Sequence, residues 1–218
     1  MYNILLTMCS PPSIKYKNEW EAELGEIIPD TLWEESLASI HNCSRNVRHR
    51  LIQFKIIHRL HYSKEKLHKI YPELSPLCDR CKISPASLMH SFVSCPKIQS
   101  FWIDVFNTMS GAMAITIKPE SALIILGISN TLKALNVTQQ HFFSYCLIIA
   151  KKVILRHWKD AAAPTFKMWL DDLANTLHLE RIRYTVQGRL EQFNKCWKPL
   201  LDYLLSSGRL QPSASIRC

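Results

Sequence analysis

The stretch LCDRCKISPASLMHSFVSC, residues 77–95, sets Cys78, Cys81, His90 and Cys95 in the spacing C-x2-C-x8-H-x4-C. Thiolates and a neutral imidazole are the donors that hold Zn2+ tetrahedrally, and a C-x2-C pair lets two sulfurs from one tight turn reach one ion. Pro76, Pro85 and Pro96 punctuate the intervening loops, so the segment is expected to keep its shape through the metal. His90 is included on its spacing to Cys95, because an isolated histidine carries no ligand signal of its own. The expected cofactor is Zn2+ in a closed structural knuckle, with no open position for catalysis.

Outward from the knuckle, the periodicity is helical. Residues 44–62, SRNVRHRLIQFKIIHRLHY, contain neither Gly nor Pro and open on Ser44 as a candidate cap. At 100° per residue Ile52, Phe54, Ile56, Ile57 and Leu60 share one broad face, while Arg48, Lys55 and Arg59 converge within about 40° on another. Ser63 is placed to cap a following helix that Pro72 ends. Across residues 19–42, two shorter helical patterns lie around Pro29 and Asp30, with Asp30 or Thr31 as a cap for the second and Leu32, Trp33, Leu37 and Ile40 as its apolar face.

Downstream, Pro96 can start a helix carrying Phe101, Trp102, Val105, Phe106 and Met109 up to Gly111. Residues 112–137 stay open, since the run ALIILGI fits a helix or a buried strand. Residues 138–160 are helical, with Thr138 as a candidate cap, an apolar side from Phe142 to Ile154, and Lys152, Arg156 and Lys159 on the other side. Thr165 can cap a helix bearing Trp169, Leu173 and Leu177. A last helix carries Phe193, Trp197, Leu200, Leu201 and Leu204, and Pro199 is expected to kink or restart it. The fold class is therefore mainly α, an irregular helical domain with a small zinc knuckle. Its expected parts are a disordered leader (1–18), an N-terminal helical part (19–72), the knuckle with its docked helix (73–110), a C-terminal helical part (111–205) and a disordered tail (206–218).

The 218 residues are 47% hydrophobic, enough for a substantial core, and the formal net charge of +9 favours polyanionic partners over acidic ones. The N-terminal run lacks the basic flank of a secretory signal, and the apolar run at 142–150 falls short of the roughly 20 residues a membrane span needs. No membrane association is expected, and a reducing intracellular compartment, nucleus or cytoplasm, follows. Cys9, Cys43, Cys146, Cys196 and Cys218 stand apart from the cluster and read as buried or free thiols.

Ten residues are candidates for nucleic-acid contact. Arg48, Lys55 and Arg59 form one stripe and Lys152, Arg156 and Lys159 another, while Arg80, Lys82 and Lys97 surround the knuckle and Phe92 lies inside it as the best base-stacking ring. Read alone, each stripe is better taken as an ordinary solvated helix face; their conjunction with the knuckle points to phosphate contacts. Trp169-Leu170-Asp171-Asp172 has the look of a polymerase metal signature, but these acids sit in the first turns of a helix and lack the third carboxylate such a site needs. No nucleophile triad, phosphate-cradling glycine loop or spaced carboxylate pair appears, so neither an enzymatic activity nor a small-molecule substrate is expected.

Three runs together resemble the region that follows the polymerase in LINE-type, non-LTR retrotransposon reverse transcriptases. They are residues 55–102 (KIIHRLHYSKEKLHKIYPELSPLCDRCKISPASLMHSFVSCPKIQSFW), residues 150–184 (AKKVILRHWKDAAAPTFKMWLDDLANTLHLERIRY) and residues 193–204 (FNKCWKPLLDYL). The likeness extends over roughly residues 19–205. It implies a largely helical region whose Cys-Cys-His-Cys knuckle falls on Cys78, Cys81, His90 and Cys95, and which engages RNA or DNA during target-primed reverse transcription. The polymerase and endonuclease parts of that family have no counterpart here, so the resemblance implies a binding segment without polymerase activity. The rival expectation is a structural or interaction module, in which zinc staples helices that once packed on the polymerase body and the former interdomain surface self-associates.

Overall fold

The structure is a computed structural model and describes residues 12–209. The chain runs through α1 (Pro12–Leu24), α2 (Asp30–Asn42), α3 (Val47–Ile57) and α4 (Lys64–Ile70) into the Cys/His segment. That segment holds one isolated antiparallel bridge, Leu77 to Pro85, and a π-helical turn at His90–Ser94. A short 3-10 turn, Pro96–Ile98, leads into α5 (Gln99–Met113). Then follow α6 (Ser121–Leu126), α7 (Asn130–Lys133), α8 (Val137–Arg156), α9 (Phe166–Val186) and α10 (Leu190–Ser206). Among the described residues there is no β-strand, and the fold class is mainly α.

The expected long helix at 44–62 is shorter at both ends. Asn46, whose side chain accepts from the Arg48 N–H, caps α3 in place of Ser44. At the other end Arg59 takes a left-handed conformation, φ 52°, and the Leu60 N–H bonds back to Lys55 O while the Arg59 N–H bonds to Ile56 O. This is a Schellman termination built on an arginine where glycine is usual. A left-handed non-glycine residue costs about 1–2 kcal/mol. It is held here because the Arg59 guanidinium lies 4.2 Å from the Trp20 ring and pairs with Glu19 (2.9 Å) and Glu23 (2.6 Å) of α1.

The buried face of α3 also differs from the apolar periodicity. His49, Gln53, Ile56 and Ile57 point inward, whereas Phe54 and Leu60 are exposed. Residues 12–18, expected as loose leader, form the first turns of α1, where Pro12 suits the start of a helix. The remainder of the leader, residues 1–11, and the tail at 210–218 lie outside the described residues. At its described end the tail is docked: Arg209 donates to Thr108 Oγ1 at 2.9 Å, and its guanidinium lies 4.9 Å from the Phe166 ring.

Within the open segment 112–137, the run that fitted a helix or a buried strand is helical, in α6, and apart from the short α7 and the adjoining helix ends the rest is irregular chain. In α6, Leu123 to Leu126 are all buried, and Gly127 ends the helix at φ 74°, a conformation that favours glycine. Helix α8 starts at a capping box between Asn136 and Gln139, just before the expected cap at Thr138. Eleven of its residues are buried, so α8 is the axis of the core. Helix α10 runs unbroken through Pro199 and packs closely on α5. A Cβ built on Gly111 would sit 2.1 Å from the Tyr203 ring, so any larger residue there would force that ring to move. Trp20, Trp102, Trp169 and Trp197 are fully buried and distribute the core along the whole chain. Cys43, Cys146 and Cys196 are buried thiols, as expected for cysteines outside the cluster.

Candidate metal centre

Cys78 and Cys81 come from one tight turn, closed by the Lys82 N–H bonding to Cys78 O at 2.9 Å. Lys82 itself has φ 57°, which reverses the chain directly behind the second ligand. His90 and Cys95 bracket the π-helical turn, whose wider spacing brings both side chains to one side. The four ligand atoms lie within 4.8 Å of one another, and all four residues are buried. Cys78 Sγ is 3.9 Å from Cys95 Sγ, and Cys81 Sγ is 3.4 Å from His90 Nε2. Tetrahedral metal bonds of about 2.3 Å to sulfur and 2.0 Å to nitrogen imply S···S of about 3.8 Å and S···N of about 3.5 Å. These residues are therefore close enough, and correctly spaced, to hold a metal ion.

The electrostatics suit a cation. Burial, with Arg80 nearby, lowers the His90 pKa and keeps the imidazole in its neutral, ligating form. Burial opposes ionisation of Cys81, yet the backbone N–H groups of Ser84 and Ile83 outweigh it and bring that thiol below its ordinary value. Cys95 is pushed up to about 11, first by burial and then by the neighbouring Cys78 and Cys81 sulfurs. Three sulfurs in one pocket resist joint ionisation until a positive ion joins them.

The knuckle is sealed into the helical body. Arg80, between the first two ligands, is buried and donates to Ser91 O at 2.8 Å and to His157 O, at the end of α8, at 3.3 Å. Asp79 pairs with Lys64 of α4 at 2.8 Å and with Lys82 at 3.2 Å. Trp102 Nε1 donates to Phe92 O at 2.6 Å, and the Phe92 ring packs 5.2 Å from Trp158. The 78–82 turn and the π-helical turn together thus tie α4, α5 and the end of α8 to the Cys/His cluster.

These contacts place five of the ten candidate nucleic-acid residues in internal packing or pairing. Phe92 is fully buried, so its ring offers no face to a base. Arg80 is a strut inside the knuckle, and Arg59 is locked on α1 as described above. Lys152 and Arg156 both pair with Asp172 of α9, at 3.2 and 2.8 Å. The stripe on α8 is therefore largely an α8–α9 ion-pair seam. Arg48, Lys97 and Lys159 are exposed and Lys55 is half-buried, and among the described residues none of these four has a carboxylate at ion-pair distance. Lys82 keeps most of its side chain in solvent despite its pairing with Asp79.

Asp171 and Asp172 point to separate partners, Asp171 to Lys167 and Asp172 to the two α8 cations. Among the described residues the Cys/His group is the only cluster placed to hold a metal.

Sequence reasoning missed Lys151. It is completely buried and donates to Gln53 Oε1 at 2.6 Å and Ile125 O at 3.1 Å, while Gln53 Nε2 donates to the same carbonyl. Burial lowers its pKa to about 7. Ser36 Oγ donates to Leu126 O, so a set of buried side chains satisfies the last carbonyls of α6. The signal was available: Lys151 follows Phe143 and Leu147 at four-residue steps, on the apolar side of α8.

No protein-family model matches the chain. No helix of the described residues is long and apolar enough to cross a membrane.

Proposed function

We propose that this chain is a zinc-stapled helical module that binds nucleic acid and carries out no chemistry of its own. The observation that carries the zinc half is the closed set Cys78, Cys81, His90 and Cys95, whose three sulfurs and one imidazole nitrogen match zinc in number, softness and spacing. All four ligands come from the protein and all are buried, which is the arrangement of a structural ion with no open position for a substrate. Zinc here would fix the 71–95 segment, which has almost no regular structure of its own, against α4, α5 and α8.

The nucleic-acid half rests on the net charge of +9 and on the cations left outside internal pairs, Arg48, Lys55, Lys97 and Lys159, with Lys82 partly available. Contacts of this kind are made to phosphates and carry little sequence information. The resemblance to the post-polymerase region of LINE-type reverse transcriptases supports the same partner and suggests a retroelement origin.

The structural or interaction reading has one specific observation in its favour. Leu179, Ile182 and Val186, 66%, 50% and 83% exposed, form an apolar stripe on the outer side of α9. In that reading the module docks on another body through α9, and the free cations are ordinary surface.

Metal analysis and a binding titration separate these readings. One zinc per chain is expected, lost together with cooperative melting in a Cys81→Ser, Cys95→Ser variant. Affinity for RNA or DNA should fall steeply with salt. A metal-free chain that melts cooperatively would refute the zinc staple, and absence of binding at low salt would leave the interaction reading.

A further inference from the structure

A cleft of about 540 Å3 opens between α1, the end of α3 and α4, at one side of the knuckle. Its walls are Lys15, Tyr16, Glu19 and Glu23 from α1 and Glu65, Lys66 and Lys69 from α4; its floor is residues 58–61; Ser87 and Leu88 of the knuckle segment close one end. This volume is within the range of about 300–1,000 Å3 typical of small-ligand sites. It suits one nucleotide and is far too small for a base pair with its stacked neighbours.

The charges in the cleft divide unevenly. Arg59 pairs with both Glu19 and Glu23, and Lys69 pairs with Glu65 at 2.9 Å, so each carboxylate of the lining already has a cation. Lys15 and Lys66 are exposed, stand on opposite walls, and have no carboxylate at ion-pair distance among the described residues. Two uncompensated ammonium groups facing one cleft from opposite sides are suited to an anion that enters between them.

Aromatic surface is available on the same walls. Tyr16 meets His58 edge to face with ring centroids 5.5 Å apart, and His58 in turn stacks on Phe54 at 4.2 Å. Next to the cleft, Tyr62 is 59% exposed and Lys66 Nζ lies 5.0 Å from its ring centroid. Cations that track a backbone, combined with aromatic faces for bases, are the recurring elements of single-strand recognition.

We infer that this cleft seats one unpaired nucleotide of a single strand, with Lys15 and Lys66 on the flanking phosphates and the base against Tyr16 and His58. The inference rests on the nucleic-acid reading above and narrows it from polyanion to single strand. It also moves the stacking role from Phe92 to the α1 and α4 side of the knuckle. A duplex keeps its bases stacked and paired and cannot deliver one into the cleft, so duplex binding would use the outer cations alone.

The test uses the full zinc-loaded chain and fluorescence anisotropy with a labelled oligouridylate, an oligothymidylate and the latter annealed to its complement. The variants are Lys15→Gln, Lys66→Gln together, and Lys97→Gln, Lys159→Gln together as a comparison outside the cleft; all four positions are exposed, and unchanged melting verifies the fold. The cleft variant should lose roughly tenfold or more in single-strand affinity and reduce the salt slope by about 1.4, the value for two single-strand phosphate contacts. Its duplex affinity should stay within about twofold. An unchanged single-strand affinity, or an equal loss on strand and duplex, would overturn the cleft assignment while leaving nucleic-acid binding intact. Displacement of the strand by a free mononucleotide at similar concentration would overturn it in favour of a free-nucleotide site. If the unaltered chain binds neither strand nor duplex, the functional reading itself falls and the cleft assignment with it.

Discussion

Lys151→Met should change how the stability of this protein depends on pH. The Lys151 amine sits in the core with two acceptors, Gln53 Oε1 and Ile125 O, which match the two N–H groups of a neutral amine and leave the third proton of an ammonium without a partner. Its pKa in the fold is about 7, against 10.5 when exposed. Between those values the unfolded chain holds a proton that the folded chain does not, so stability rises with pH across this window and is flat from this group below 7 and above 10.5. The slope approaches 1.4 kcal/mol per pH unit, and from pH 7 to 10 the group adds about 3 kcal/mol. Other groups, buried thiols among them, titrate in the same range, so the quantity to measure is the difference between the unaltered chain and the Met variant. Urea midpoints at pH 7, 8, 9 and 10 supply it. The unaltered chain should gain on the variant by about 3 kcal/mol over that span. Parallel curves would refute a neutral buried lysine and imply that Lys151 stays protonated with a counter-charge or penetrating water.

Two other substitutions test the connections around the centre. Arg80→Ala removes both donors that tie the ligand turn to Ser91 O and His157 O and leaves two carbonyls unpaired. It should destabilise the protein by about 2–4 kcal/mol in a denaturant melt while one metal per chain is retained, because no ligand is touched. Asp172→Asn should cost about 1–3 kcal/mol, below the value of a sealed pair, since Lys152 and Arg156 are 29% and 53% exposed. In the same variant nucleic-acid affinity should rise, as two cations are released from their internal carboxylate; an unchanged affinity would remove α8 from the binding surface.

The candidate metal-holding group was readable in the sequence because donor spacing is a local property: four donor residues within one short stretch mark the group before any packing is known, and the fold brings their donor atoms within 4.8 Å of one another. The helix caps at Ser63 and Thr165 were readable for the same reason, since each side chain reaches a backbone N–H three residues on. Arg59 was not. Nothing in RLHY marks a helix end, and its left-handed backbone is fixed by Trp20, Glu19 and Glu23, some forty residues earlier in the chain. The α6 segment stayed ambiguous because a short run buried on all sides has no polar face to report its period.

The internal pairing of half of the stripe cations was hidden for a related reason, and Asp172 shows it most clearly. Helical spacing places Lys152 and Arg156 on one face, but whether a face meets solvent or another helix is decided by what packs there. Asp172 was read as an acid suited to the start of its own helix, whereas its carboxylate reaches across to both α8 cations. Charge periodicity within one helix therefore identifies candidate contacts, and only the opposing charges on neighbouring helices distinguish a cation free for phosphate from one already engaged. By that criterion, Lys15 and Lys66, which form no stripe in the sequence, are better placed for a phosphate than Arg59, Lys152 and Arg156, which do.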